Sequence, residues 1–275
     1  MRTNETAVFG MYPLFDFEHS LDDYDTRWIT HGSFVPPILL SLLYMVLVIG
    51  GPKYMENRKR FDLRGAMTLW SLGLAIYSVM GSYRMLEIAY HTFMERGLRG
   101  VVCTGVVIDS FPSRFWTTTF LFSKFVEYGD TALIILRKQK LIFLHWYHHL
   151  TVALFVWYSA RNNYGGSNLF ITVNLTVHAF MYTYYFIRAA RIRLPHFVNI
   201  FVTTLQISQM FVGCGMFMYL GYSGPKPDCS TSDTHLMTGG LMYSTYLFLF
   251  AKFFYLTYIR KEKPVQNGTE LKKKN

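Results

Sequence analysis

The sequence predicts an all-α polytopic membrane protein with seven transmembrane helices. The chain has 275 residues, of which 51% are apolar and 18% aromatic. Its apolar residues fall in blocks, several of which approach the ~20 residues needed to cross a bilayer. The blocks lack the period-two alternation of β-barrel strands, so the spans are expected to be helical. One membrane domain is predicted at 34–259, between a non-cytosolic segment, 1–33, and a basic cytosolic tail, 260–275.

The seven predicted spans are joined by short polar or basic segments. The first 33 residues are polar and acidic, so no cleavable signal peptide is evident. Span two contains Arg84 and Glu87, which are one helical turn apart and able to pair. A polar loop that contains glycine is predicted at 91–114. The spans are predicted at about 34–51, 66–90, 115–136, 141–160, 168–187, 196–220 and 236–259.

Basic residues cluster on one side of the predicted membrane. The net charge is +10, which on its own is also compatible with nucleic-acid binding. With the N-terminus outside the cytosol, however, 17 of the 27 Lys and Arg residues fall in cytosolic segments. This distribution follows the positive-inside rule, so we expect a cytosolic C-terminus and no nucleic-acid partner.

Cysteines and glycosylation sequons add two predictions about the non-cytosolic side. Cys103 and Cys229 fall in two different predicted loops there, where disulfides persist, and Cys214 lies inside span six. A Cys103–Cys229 bridge is predicted, with two unrelated thiols as the alternative, because pairing cannot be deduced from sequence. Of the sequons at Asn4 and Asn267, only Asn4 faces this side and is the predicted glycan acceptor.

Three histidines form the most informative pattern in the chain. In the apolar run LIFLHWYHHLT, His145, His148 and His149 stand at i, i+3 and i+4, so they share one face of a helix. Ionisable groups inside a membrane span are costly and are usually functional. Imidazoles suit either metal binding or nucleophilic and acid–base chemistry near neutral pH.

Three further spans carry polar residues at helical spacing. With a rise of ~1.5 Å per residue, all the stripes reach one level between mid-membrane and the cytosolic edge. They predict a cavity open to an anionic cytosolic ligand. A single stripe is also typical of hydrogen-bonded helix contacts, and the charged trio on span three of a structural salt-bridge ladder. The stripes are Lys124, Glu127, Asp130 and Thr131 on span three; Asn174, His178, Tyr182 and Tyr185 on span five; and Thr203, Gln206 and Gln209 on span six.

Four motifs in order resemble those of the very-long-chain fatty acid elongases, which are membrane 3-ketoacyl-CoA synthases. The family's KxxExxDT begins at Lys124, HxxHH at His145, HxxMYxYY at His178 and TxxQxxQ at Thr203. Each is weak alone, but four in order on the expected spans are very specific. The resemblance covers about 30–260 and is closest to the type-six and type-three branch, which elongates saturated and monounsaturated chains.

The resemblance implies a condensation of fatty acyl-CoA with malonyl-CoA, giving a 3-ketoacyl-CoA two carbons longer, CO2 and CoA. It also implies that spans two to seven enclose a narrow acyl tunnel, and that His148 takes the acyl group as an acyl-histidine. Around it, His145 and His149 would set its tautomer or relay protons, and Glu127 or Asp130 would orient an imidazole. His178 and Asn174 would stabilise the malonyl enolate. The expected substrate-binding residues are Lys124, Tyr182, Tyr185, Gln206 and Gln209, with Arg137, Lys138, Lys140, Arg188, Arg191 and Arg193 on the CoA phosphates unless these basic residues only set topology.

No metal and no cofactor are expected beyond the two CoA thioester substrates. A di-iron desaturase or hydroxylase is the alternative, because such enzymes use similar histidine boxes. It needs histidines in several clusters, whereas only four of the nine here lie in the polar layer. A seven-span receptor or transporter is a third interpretation, but it leaves the histidine cluster unexplained.

The C-terminus and the resemblance both indicate the endoplasmic reticulum membrane. Lys272 and Lys273 stand fourth and third from the end, as in a dilysine retrieval signal. The alternative is a solvated basic tail. The partners expected are the membrane lipid, a second copy of the chain in a homodimer, and the ketoacyl-CoA reductase, dehydratase and enoyl reductase of the elongation cycle.

Overall fold

The computed structural model describes residues 15–21, 32–105, 111–224 and 229–260. Across these ranges the chain is helical and forms no β-strand, so the all-α prediction is confirmed. Asn4 and most of the basic tail lie outside the described residues. The elements are a 3-10 helix, Asp16–Ser20; α1, Val35–Met55; α2, Arg64–Cys103; α3, Phe111–Val126; α4, Tyr128–Leu136; α5, Phe143–Arg161; α6, Ser167–Ala189; α7, His196–Ser223; and α8, Asp233–Phe254, which ends in a π-helical turn, Tyr255–Ile259.

Two helix boundaries differ from the sequence prediction. Helix α2 runs past residue 90 as far as Gly97, whose backbone is not helical (φ 64°, ψ -165°), and a further helical segment after this kink reaches Cys103. Helix α3 begins at Phe111, so the predicted loop at 91–114 is wrong at both of its ends. The segment is polar enough to resemble a loop, yet its residues are compatible with a solvent-facing helix. Predicted span three is two helices, α3 and α4, which meet at Glu127.

Helices α2 to α8 surround a common interior. Helix α2 contacts α3 and α6, α3 contacts α5, α5 contacts α8, and α7 contacts both α8 and α6. The most extensive helix contact is between α2 and α6. A Cβ on Gly81 of α2 would lie 3.1 Å from Leu175 of α6, and 2.9 Å from the Trp116 ring of α3. Beside it, the hydroxyls of Ser82 and Thr176 are 2.9 Å apart. Small residues therefore allow the two backbones to approach.

Helix α1 lies outside this ring and packs on α4 and α5. The Tyr44 ring stacks on Tyr128 at 3.9 Å, and its hydroxyl is 2.8 Å from that of Thr131. By length and composition, α1 and α7 are the two described helices that could cross a bilayer.

The C-terminal end of α2 is cross-linked. The structure joins Cys103 to Cys229 in a disulfide, which is the pairing suggested by the sequence. Two backbone hydrogen bonds reinforce the same place, from Gly165 N–H to the Ser230 carbonyl at 2.7 Å and from Gly166 N–H to the Val102 carbonyl at 2.6 Å. This end of the helix bundle is therefore held by covalent and hydrogen-bonded links.

The Glu18 carboxylate is inserted into the bundle from the 3-10 helix. It is fully buried and accepts hydrogen bonds from Arg84 at 2.6 and 2.8 Å and from Trp116 Nε1 at 2.7 Å. Arg84 also donates to Glu87 at 2.7 Å, the pairing expected from their spacing. Burial by itself raises the pKa of the Glu18 carboxyl, but the hydrogen bonds and charge of Arg84 and the bond from Trp116 outweigh it, so this pKa lies below its usual value.

We expect Glu18→Gln to lower the free energy of unfolding by about 2–3 kcal/mol, because buried donors lose their charged acceptor. A carboxyl with a lowered folded-state pKa stabilises the fold above its unfolded pKa, and this contribution is lost as pH falls through the folded pKa. The detergent-solubilised wild type should therefore lose thermal stability below about pH 5 more steeply than Glu18→Gln. Asp16→Asn, on the same turn but exposed, is the control. Equal midpoints and equal acid profiles for wild type and Glu18→Gln would contradict this account.

Candidate active site

A cavity of about 630 Å³ opens among the helices of the ring. It receives side chains from α2, α4, α5, α6, α7 and α8, so residues far apart in the sequence face one space. Of the residues singled out from the sequence, those that line it are Asp130, Arg137, His145, His148, His149, Asn174, His178, Tyr185, Arg188, Arg191, Gln206 and Gln209.

Beside the cavity, a circuit of four polar side chains is joined by three hydrogen bonds and one longer contact. The buried ammonium of Lys124 donates to Glu127 Oε1 at 2.6 Å and to Asn174 Oδ1 at 2.8 Å. An ammonium only donates, so the Asn174 amide presents its Nδ2 to His178 Nε2, 3.4 Å away. The hydrogen of a neutral His178 then sits on Nδ1, which faces Glu127 Oε1 at 3.6 Å. The circuit therefore fixes the amide orientation and the imidazole tautomer.

The three histidines of α5 have different surroundings. His145 Nε2 is 3.0 Å from the Thr131 hydroxyl. His149 Nδ1 lies 3.9 Å from Glu127 Oε2, beyond hydrogen-bond distance. The rings of His145 and His149 are 4.4 Å apart, whereas that of His148 is 5.7 Å from His149. No hydrogen bond joins His148 to the other two within the described part of the chain, so the geometry does not show either of them holding its tautomer.

The sequence left open whether Glu127 or Asp130 partners an imidazole. Glu127 contacts both His149 and His178, as the preceding distances show. The Asp130 oxygens accept instead from Trp70 Nε1 and from the Tyr182 hydroxyl, each at 2.7 Å. Glu127 is therefore the carboxylate beside the imidazoles, and Asp130 joins α2, α4 and α6 at the cavity wall.

Comparison with known proteins identifies the family. The model of the ELO: GNS1/SUR4 family matches residues 29–266. Human very long chain fatty acid elongase 3 is 42% identical over 256 residues, which are 92% of this chain and 93% of that protein. Chicken very long chain fatty acid elongase 6 is 40% identical over 90% of this chain and 93% of its own length, and long chain fatty acid elongase 2 of Caenorhabditis elegans is 36% identical over 91% and 92%. This chain belongs to the ELO family.

Basic side chains surround the cavity of this ELO protein near the start of α2 and the ends of α4 and α6. Arg64, Arg137, Arg188 and Arg191 line it. Lys138 is placed elsewhere: its ammonium donates to the backbone carbonyls of Glu56 and Arg58 at 2.9 and 3.1 Å, closing the connection between α1 and α2. Lys140 and Arg193 are exposed and are not part of the cavity wall. The predicted basic cluster is thus divided between the cavity and the loops.

The donor geometry does not fit the di-iron centre of a desaturase. Among the residues that the structure describes, no group of three or more His, Cys, Asp and Glu side chains is arranged to hold a metal ion. His145 is turned towards a hydroxyl, and His178 is turned towards an amide and a carboxylate.

Several residues of the site carried no distinctive signal in the sequence. Trp70 reaches Asp130 because its indole lies against Gly129, where a Cβ would be 2.5 Å from the ring. Tyr246 and Phe250 of α8 face the His148 ring. Aromatic residues are common in every span here, so only the packing distinguishes these three. Arg64, at the start of α2, also lines the cavity and belongs to no motif in the sequence.

The circuit predicts a stability cycle between Lys124 and Glu127. Glu127→Gln leaves the buried ammonium without an anion and should lower the free energy of unfolding by about 3–5 kcal/mol. Adding Lys124→Met removes the unpaired charge and should recover much of this loss. Thermal midpoints in detergent would measure the cycle, with the exposed Lys252→Met as the control. A double variant less stable than Glu127→Gln alone would contradict the buried ion pair.

Proposed function

We propose that this chain is a condensing enzyme of fatty acid elongation that joins a saturated or monounsaturated fatty acyl-CoA to malonyl-CoA. One observation carries the proposal: imidazoles from two helices, His148 and His178, face one cavity bordered by arginines in a member of the ELO family. The products are a 3-ketoacyl-CoA two carbons longer, CO2 and CoA. The names of the relatives support this assignment, since each is a fatty acid elongase.

The first half-reaction transfers the acyl group to His148. Its Nδ1 is buried and has no hydrogen-bond partner among the described residues, so we assign Nε2 as the edge that meets the cavity. A nucleophilic lone pair on Nε2 requires the ring hydrogen on Nδ1. Nε2 attacks the thioester carbonyl and the carbon–sulfur bond breaks. The departing CoA thiolate takes the proton that the acylated ring releases, which leaves a neutral acyl-imidazole.

The second half-reaction makes the carbon–carbon bond. Malonyl-CoA loses CO2, and the electron pair of the broken bond enters the thioester as an enolate. Its α-carbon attacks the acyl carbon, the bond to His148 breaks, and the ring nitrogen takes one proton from solvent. Asn174 would stabilise the enolate oxygen through the second hydrogen of its Nδ2, and His178, whose two nitrogens face Asn174 and Glu127, would contribute once its ring turns towards malonyl-CoA.

The arginines near the helix ends suit the phosphates of CoA. Arg137, Arg188 and Arg191 border the cavity, and guanidinium groups bind phosphate through paired hydrogen bonds. A CoA headgroup held there would place its thioester deeper, towards the imidazoles. The proposal also assigns roles to four residues of α6 and α7. Tyr185, Gln206 and Gln209 line the cavity and would face the substrate. Tyr182 donates to Asp130 and would support the cavity wall.

The membrane arrangement follows the same proposal. Helices α2 to α8 would form six spans around an acyl tunnel and α1 a seventh span outside it, in the endoplasmic reticulum membrane. The N-terminus, with a glycan on Asn4, and the disulfide would be lumenal, and the basic tail cytosolic. This orientation is supported by the distribution of Lys and Arg. A reductase, a dehydratase and an enoyl reductase would consume the product, and a homodimer is proposed as the assembly.

Membranes that contain this chain should release labelled CO2 from malonyl-CoA only when a long-chain acyl-CoA is present. Acyl-CoA alone should release CoA and leave a covalent acyl adduct, detectable by mass spectrometry. His148→Ala should abolish both signals, because the proposed nucleophile is gone. The exposed His196→Gln is the control. An acyl adduct on His148→Ala would falsify the nucleophile assignment, and absence of CO2 release across an acyl-CoA panel would remove the condensation itself.

Arg188→Gln should raise the KM for acyl-CoA about tenfold or more, because a charged hydrogen bond to phosphate is lost. The effect should shrink as salt rises, since the lost attraction is already screened there. Steady-state rates at low and high ionic strength would measure it. Lys59→Gln, in the exposed loop before α2, provides the matched loss of charge outside the cavity. Equal KM changes for the two variants would indicate that Arg188 contributes only to topology.

A further inference from the structure

His148 differs from His145 and His178 in how its ring is held, and it shares with His149 a buried Nδ1 that has no hydrogen-bond partner in the described ranges. His145 contacts the Thr131 hydroxyl, and His178 contacts the Asn174 amide. The Nδ1 of His148 is buried with no hydrogen-bond partner in the part of the chain that the structure describes. A ring that must present one nitrogen to a thioester therefore needs another constraint on its orientation.

Tyr246 of α8 contacts His148 in two ways. Its ring lies 4.6 Å from the imidazole, at an interplanar angle of 59°. Its hydroxyl donates to the His148 backbone carbonyl at 3.2 Å and also contacts the Thr151 hydroxyl. The Tyr246 side chain is itself 1% exposed, so it has little freedom to move. Phe250, one turn later on α8, meets the imidazole edge-on at 6.1 Å.

We propose that Tyr246 is a positioning residue for His148. Its hydroxyl fixes the backbone of the nucleophile, and its ring restricts the rotation of the imidazole, so packing takes the place of the missing hydrogen bond. The inference rests on the proposed acyl-histidine function. It also gives α8 a part in the chemistry, because α8 contributes no motif residue yet contacts α5 at the nucleophile.

The two contacts can be separated by substitution. Tyr246→Phe keeps the ring and removes the hydroxyl, whereas Tyr246→Leu removes both the ring contact and the hydrogen bonds. A displacement of about 1 Å in a reacting group costs roughly 100-fold in rate. We therefore expect acyl transfer to fall roughly 100-fold in Tyr246→Leu and roughly tenfold in Tyr246→Phe. The KM for acyl-CoA should stay within about twofold, because neither variant touches the arginines near the helix ends.

The test is a single-turnover measurement on the full chain in detergent, with acyl-CoA alone and CoA release as the signal. Tyr243→Phe is the matched control, because Tyr243 is also a buried α8 tyrosine. Its ring packs on Phe217 and Phe170 and lies 6.4 Å from the Tyr246 ring, and the substitution keeps these ring contacts. A slow burst in the Tyr246 variants, with wild-type KM and a burst in Tyr243→Phe like that of the wild type, supports the proposal. A faster acyl transfer in Tyr246→Phe than in Tyr246→Leu would show the contribution of the ring contact.

Three results would overturn it. The first is acyl transfer by Tyr246→Leu at the wild-type rate. The second is an equal loss of rate in Tyr246→Phe and Tyr243→Phe. A rate loss in step with a rise in KM would indicate general damage to the site. If Tyr246→Leu does not fold, the comparison of the two Phe variants decides. The failure of the wild type to release CoA from acyl-CoA alone is a separate outcome: it removes the acyl-histidine function and this inference with it.

Discussion

The buried ion pair between Lys124 and Glu127 is the constraint on which the site depends. Both side chains are almost fully enclosed, and neither charge is stable there alone. The Asn174 amide accepts a further hydrogen bond from the ammonium, and the imidazoles of His149 and His178 lie 3.9 and 3.6 Å from the Glu127 oxygens, of which Oε2 has no hydrogen-bond partner among the described residues. The buried charges are costly, but they organise the polar layer. They fix the orientation of the Asn174 amide, which in turn fixes the tautomer of His178.

The interruption of the third span follows from this arrangement. Helices α3 and α4 meet at Glu127, so Lys124 and Asp130 project from different helices although they are six residues apart. Lys124 turns towards α6 and Asp130 towards α2, where Trp70 and Tyr182 occupy its oxygens. One motif thereby connects two sides of the cavity.

The fold was largely predictable because the apolar blocks are long and the polar stripes have helical spacing. The spacing of His145, His148 and His149 was sufficient to place them at one cavity. The break at Glu127 and the continuation of α2 to Cys103 were not predictable, because both depend on tertiary contacts that override local pattern. Tyr246 was also missed, since one tyrosine among the 20 in the chain has no signal until packing places it on an imidazole.

The insertion of Glu18 has a consequence for how the chain is assembled. Its partners, Arg84 and Trp116, are synthesised some 66 and 98 residues later. The earliest part of the polypeptide therefore cannot reach its final place until two later helices have been made and have met, although domains ordinarily form in the order of their synthesis. The binding site for Glu18 does not exist until α2 and α3 have both been made. A truncated nascent chain that stops before α3 therefore cannot form the contacts of Glu18.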